Sequence, residues 1–127
     1  MVAHNVESLH IFSQRQRVDP TPKREGETRF KFLDRVAGPF WDRLRDLIDL
    51  WFSAYPLQHR PDLRARFRSA DEQTDGAWWE LYLHQLLVGT GRRVDVHPGV
   101  IGTDAHPDFL VHEGDGRSWY LEARVVL

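Results

Sequence analysis

The sequence predicts a mixed α/β domain of the α+β kind, and three patterns predict it. An apolar stripe at helical spacing runs through residues 40–55, and a second, almost uniformly apolar helical stretch covers residues 71–88. At the C-terminal end, residues 106–111 and 119–124 alternate as two strands joined by the turn-rich Glu113-Gly114-Asp115-Gly116-Arg117.

Composition bounds the answer before any element is placed. A chain of 127 residues with 41% hydrophobic and 28% charged residues can bury a real core, so it is a folded domain rather than a disordered segment. It has no cysteine, which excludes disulfides, thiolate zinc sites and cysteine nucleophiles. No apolar run is long enough to span a bilayer, and Met1-Val2-Ala3-His4-Asn5 lacks the apolar core of a signal peptide. A reducing cytoplasm without membrane contact is the simplest location. The net charge of −2 gives no global attraction to nucleic acid, so any polyanion must be held by a local patch. Arginine supplies 15 of the 17 basic residues, which suits bidentate phosphate contacts, although genome base composition is the better explanation of the bias.

The elements follow in chain order. Residues 1–29 are polar, and Asp19 to Gly26 read as a turn or linker. Val6, Leu9, Ile11 and Phe12 suit a short element packed on the body, strand or helix. Residues 30–70 form a helical region. In it, Phe40, Leu44, Leu47, Ile48, Trp51, Phe52 and Tyr55 make one continuous face, opened by Gly38-Pro39 and closed by Pro56. Asp42, Arg43, Arg45, Asp46 and Asp49 take the outer side. Residues 61–68 read as a short helix flanked and studded by Arg60, Arg64, Arg66 and Arg68. That is either a phosphate-contacting patch or a solvated face with Leu63 and Phe67 buried behind it.

The second long helix, residues 71–88, stops at Gly89-Thr90-Gly91 and is apolar nearly all round, the mark of a buried helix. Glu80 lies in its middle. A carboxylate there is costly unless paired or bound to a cation, so it either ligates a metal or pairs with Arg92, Arg93 or Arg124. A short strand follows at residues 93–97. Pro98-Gly99 turns the chain, and Val100 to Thr103 offer a continuation of the sheet.

For the hairpin, the apolar positions Phe109, Val111, Trp119, Leu121, Ala123 and Val125 are all odd-numbered. Burying them together requires odd to pair with odd, and the most economical register centres on Asp115. It sets Asp108 opposite Glu122, with Cβ atoms roughly 4.5–5.5 Å apart, where like charges repel unless a cation lies between them. Arg124 falls two residues beyond Glu122 on the same face.

Pro107-Asp108, a hairpin, and then Glu122-Ala123-Arg124 resemble the PD-(D/E)XK nuclease superfamily, whose fold is restriction-endonuclease-like. Glu80 stands where the family's preceding helix contributes another acid. The resemblance covers residues 71–127 and implies a helix followed by a three-stranded sheet. The family core continues with a further helix and strand, so a core ending at Val125-Val126-Leu127 is expected to be completed by more chain or by a second copy.

The resemblance further implies that Asp108, Glu122 and the backbone carbonyl of Ala123 ligate one or two Mg²⁺ or Mn²⁺ ions. Glu80 would hold a second metal or a metal-bound water, and Arg124 would stabilise charge on the phosphodiester. The implied activity is metal-dependent hydrolysis of nucleic acid, DNA in the first instance, with Arg64, Arg68, Arg92 and Arg93 touching the substrate. The family's usual lysine is Arg124 here, which keeps the positive charge but does not readily lose a proton. Two other readings stand beside it. One is a catalytically inactive interaction or nucleic-acid-binding module, in which these charges form a salt-bridge cluster. The other is a histidine-based metal site drawn from His97, His106 and His112, or from Glu80 with His84 at i, i+4.

Overall fold

The structure, a computed structural model, describes residues 9–124. It is a mixed architecture, a group of helices followed by a small three-stranded antiparallel sheet. Helix α1 spans Arg29–Arg35, with the Thr28 hydroxyl accepting from the Lys31 N–H at 3.1 Å as its N-cap. Helix α2 spans Pro39–Ala54, helix α3 Arg60–Phe67 and helix α4 Asp71–Gly89, while a short 3-10 turn, Leu57–His59, links α2 to α3. Strands β1 (Arg93–Val96), β2 (Phe109–His112) and β3 (Ser118–Leu121) form the sheet in that order.

Helix α2 starts as expected, with Pro39 in its first turn after a Gly38 whose φ of 139° suits only glycine. Its apolar face is buried only toward the C-terminal end, at Ile48, Phe52 and Tyr55, while Phe40 and Leu47 are exposed. Arg45, expected on the outer side, is buried instead. Its guanidinium donates to the carbonyls of Leu33 and Val36 at 2.7 and 2.8 Å and to Asp42 at 2.6 Å, so it closes the C-terminal end of α1. Asp49 also turns inward and accepts from the Ile11 N–H at 2.7 Å. That bond seats Ile11 and Phe12, both fully buried, in the same hydrophobic cluster as Phe30, Phe52, Phe67 and Leu81. These two residues lie in a bend rather than a strand or helix, Leu9 is half exposed, and Val6 falls outside the described residues.

Helix α4 lays one stripe on the core: Thr74, Ala77, Glu80, Leu81, His84 and Leu87. Its opposite side is open, with Trp79, Leu86 and Val88 exposed, so the helix is not buried all round. Between the two sides, Trp78 and Tyr82 stack at 6.0 Å and Trp78 meets Trp51 of α2 at 5.6 Å.

The hairpin adopts the register that the odd-numbered apolar positions require, with Phe109 opposite Leu121 and Val111 opposite Trp119. Phe109 and Val111 are fully buried against the helices. Trp119 is not; it remains 39% exposed and its indole N–H donates to Glu113 at 2.9 Å. The Glu113 N–H donates to the Arg117 carbonyl at 2.8 Å, and Gly116 supplies the positive φ of 89° that closes the turn. Residues 100–103 form a turn instead of a strand, with Gly102 at a φ of 81° and Ile101 fully exposed. Glycine and the preceding Pro98-Gly99 bend the chain too sharply for the sheet to continue. The expectation about how the sheet is completed concerns Val125 to Leu127, which lie outside the described residues. Among the described residues no helix is long and apolar enough to cross a membrane.

Candidate metal centre

Three segments meet at one end of the sheet. Helix α4 presents Glu80 from its inner stripe, the residue after β1 is His97, and the residue before β2 is Asp108. The backbone clamps the last two together, since the His97 N–H donates to the Asp108 carbonyl at 2.8 Å. His97 has a φ of 49°, a left-handed conformation that non-glycine residues seldom adopt, and such residues cluster at ligand sites. It directs the ring back toward α4, where His97 Nε2 lies 3.8 Å from Glu80 Oε1. One ligand atom each from Glu80, His97 and Asp108 fall within 4.8 Å of one another, the spacing that a single metal ion spans.

The electrostatics of the cluster come from burial. Glu80 is 5% exposed, and burial pushes its carboxyl up to about 7, outweighing the hydrogen bond from Arg66; its hydrogen-bonded neighbour Asp108 raises it further. Arg66 reaches across from α3 and makes an ion pair with Glu80, holding Asp62 with its Nε at 3.0 Å. Glu80 therefore tends to hold a proton that a cation can replace. Burial also pushes the His97 imidazole below its usual range, which keeps it neutral with a lone pair to donate. The ring stands edge-on to His59 at 5.4 Å. Two carboxylate oxygens and one imidazole nitrogen suit a divalent ion such as Mn²⁺, which accepts both donor types. The residues present fit such an ion.

Of the three buried polar atoms that the fold leaves without a partner among the described residues, two lie on touching rings, the third being Gln85 Oε1. Tyr55 Oη and His84 Nδ1 are buried with no hydrogen-bond partner among the described residues. The two rings meet edge to face at 4.9 Å. Burial raises the Tyr55 phenol well above its usual range, and the charges of Glu80 and Asp108 add to the rise while Arg66 opposes it. Burial likewise holds His84 neutral.

No protein-family model, curated protein or solved structure matches this chain.

The other sequence-derived candidates are placed as follows. The β2–β3 ladder ends at Phe109 and Leu121, and beyond it the Asp108 carboxylate accepts the Ala123 N–H at 2.7 Å. Ala123 thus meets Asp108 through its amide. Glu122 is not part of the three-residue cluster; its side chain is 53% exposed and accepts from Arg124, itself 76% exposed, at 3.1 Å. The repulsion expected between Asp108 and Glu122 is relieved by sending one acid inward and the other to solvent.

Glu80 pairs with Arg66 rather than with Arg92, Arg93 or Arg124. Arg64 donates to the His10 carbonyl at 2.7 Å, and Arg68 to the Ile11 carbonyl at 2.6 Å while covering the Phe30 ring. Both anchor the N-terminal segment. Arg92 pairs with Glu113 at 3.0 Å, and Arg93 is exposed on β1. Among the histidines, His97 joins the site, His112 pairs with Asp95 at 2.8 Å, and His106 is exposed.

Sequence reasoning placed Arg66 in a candidate phosphate-contacting patch but not beside Glu80, and it did not single out Tyr55. Arg66 was legible as the residue flanking the buried Leu63 and Phe67, at the edge of α3's inner face. Tyr55 read as one more core aromatic, and nothing in its pattern marks the hydroxyl.

Proposed function

We propose that this protein hydrolyses phosphodiester bonds of nucleic acid with a divalent metal held by Glu80, His97 and Asp108. The observation that carries the reading is the convergence of two carboxylates and a neutral imidazole within 4.8 Å. The order helix, three antiparallel strands, with one acid on the helix and one where the hairpin begins, supports a restriction-endonuclease-like core. A bound divalent ion supplies charge neutralisation at the phosphoryl group and a water of lowered pKa.

The protein's own groups do the rest. Glu80 would release its proton to solvent on taking up a cation and, with Asp108, would present oxygens to it, and the hydrogen bond from the Ala123 N–H fixes the Asp108 carboxylate. His97 adds a nitrogen donor, so Mn²⁺ is favoured over Mg²⁺, which prefers an all-oxygen shell. Arg66 is the cation nearest the cluster and is placed to receive a phosphoryl oxygen in partial exchange for Glu80. Arg124, exposed beside Glu122, is left to the substrate's flanking phosphates.

Labelled single- and double-stranded DNA and RNA, incubated with Mg²⁺ or Mn²⁺, test the proposal. Cleavage by the wild type and its loss in Asp108→Ala are expected. A second reading has its own observation: Arg66–Glu80 and Arg124–Glu122 are already neutralised pairs, as in a binding module without catalysis. Retained binding with no cleavage of any substrate by metal-loaded protein establishes that alternative.

A further inference from the structure

We infer that His59 is a further ligand of the ion held by Glu80, His97 and Asp108, so that the centre has two imidazole nitrogens and two carboxylate oxygens. This rests on the metal reading of the cluster and narrows the class of ion it takes. The distance that carries it lies between two rings. His59 and His97 stand 5.4 Å apart, centroid to centroid, with their planes at 71°. With nitrogens about 2.1 Å from a four- or five-coordinate ion, two ligating imidazoles have centroids about 5 Å apart. The observed separation therefore suits two rings on one ion. The turn that carries His59 is firmly anchored. The His59 N–H donates to the Pro56 carbonyl at 3.0 Å, and Arg60 beside it donates to the carbonyls of Tyr55 and Ser53, both at 2.6 Å. The same connection leads into α3, which brings Arg66 to Glu80.

Both imidazoles keep part of their surface in solvent, so an ion can reach them and the His59 ring has room to turn. The His59 nitrogens lie outside the group of atoms within 4.8 Å of one another. Ligation therefore requires the ring to swivel about its side-chain torsions, and the centroid separation means that it need not travel. A supporting group is already in place: the Gln58 side-chain amide lies 3.1 Å from His59 Nε2. A ligating imidazole ordinarily donates its other N–H to an oxygen. Turning the Gln58 amide over sets Oε1 against that N–H and leaves the Nδ1 lone pair for the ion. Two imidazoles move the preference away from Mg²⁺, through Mn²⁺, toward Zn²⁺. A five-coordinate ion still leaves one position for water or a phosphoryl oxygen. The rival explanation of the contact is ring packing, which needs the His59 ring but not its nitrogen.

The test compares wild type, His59→Phe, His59→Ala and Asp108→Ala, each titrated with Mn²⁺ and with Zn²⁺ by calorimetry. Pulsed EPR of the Mn²⁺-loaded proteins counts the imidazoles coupled to the ion. Two coupled imidazoles are expected in wild type and one in both His59 variants. In those variants Mn²⁺ affinity should fall about tenfold and Zn²⁺ affinity about a hundredfold, since imidazole suits Zn²⁺ better than Mn²⁺. Phenylalanine keeps a ring against His97 and alanine removes it, so equal losses in the two variants identify the nitrogen as the group that matters. His59→Ala gives the same reading if phenylalanine is not accommodated in the turn. One coupled imidazole in wild type, or metal affinity in His59→Phe equal to wild type, overturns the inference. If Asp108→Ala loses the ion at the same time, the three-residue metal site stands without His59. If the wild type binds neither Mn²⁺ nor Zn²⁺, the metal reading fails, and this inference fails with it.

Discussion

Asp108 and Glu122 begin as equals, two acids set opposite each other by the register of one hairpin, and the fold treats them oppositely. Asp108 is drawn under α4, where it meets Glu80 and His97 and hooks the Ala123 amide. Glu122 faces solvent and pairs with Arg124 two residues away. The difference teaches that motif position does not decide which acid has chemical leverage; desolvation does. A carboxylate in water is stabilised equally well by water, whereas one beneath a helix must find a proton, an arginine or a metal. In this protein the buried Glu80 has two of these, and a cation can replace the first.

The sharpest way to break the comparison is to remove one acid from each side. In wild type, Mn²⁺ at a hundredfold excess over its Kd should add about 2.7 kcal/mol of stability, a Tm rise on the order of 10 °C for a chain this size. Asp108→Ala should lose both this shift and any cleavage, and Glu122→Gln should keep both. The reverse result would falsify the assignment of the buried cluster as the metal site and return the ligand role to Glu122.

Arg66 supplies the next test. Removing it leaves the buried Glu80 beside Asp108 and a neutral His97 with no cation to offset its charge, a change expected to cost about 3 kcal/mol in chelated protein at pH 8, at the low end for a broken buried pair because Arg66 keeps some solvent contact. At pH 6 the loss should shrink, since Glu80 can then take up a proton. Urea melts of Arg66→Met at both pH values measure this, and an equal loss at each would point to packing rather than charge.

The pH profile of the wild type gives a smaller effect. Folding raises the Glu80 carboxyl from 4.5 to about 7, so the folded state binds this proton more tightly than the unfolded chain does. Stability from this group is therefore full below the unfolded value and declines as pH rises from about 4.5 through about 7, by roughly 2 kcal/mol after allowance for solvent reaching the pair. Chelated wild type should show that decline between pH 5 and pH 8, and Glu80→Gln should flatten it. Saturating Mn²⁺ should reverse the slope, because the metal requires the ionised carboxylates.

How much of this was written in the sequence follows from the range of the interactions. The three longer helices and the register about Asp115 depend on period and nearby turns, and their residues announce them. The apolar side of α2 was visible, but its tilt was not: burial of Arg45 in place of Phe40 and Leu47 depends on where α1 ends, and no local pattern encodes that. The same limit applies to the site. Glu80 and Asp108 were legible as a helix acid and a hairpin acid, yet Arg66, the partner of Glu80, comes from a separate helix, and His97 joins only through a left-handed turn after β1. Which of two opposed acids turns inward is likewise settled by the helix above the sheet, not by the hairpin that carries them.

The smallest expected effect lies on the exposed side, and its smallness is the point. Glu122 and Arg124 lie two residues apart in sequence, and both side chains keep more than half of their surface in solvent. Water screens such a pair and its side chains lose entropy in forming it, so exposed ion pairs contribute about 0–1 kcal/mol. Glu122→Gln and Arg124→Ala should each shift stability by no more than about 0.5 kcal/mol, and the double variant should equal their sum within about 0.3–0.5 kcal/mol. Thermal melts at low and high salt decide it, because any pair energy present at low ionic strength must fade as salt rises. A coupling above 1 kcal/mol that survives salt would mean that Glu122 is not a solvated acid, and the contrast with Asp108 would lose its basis.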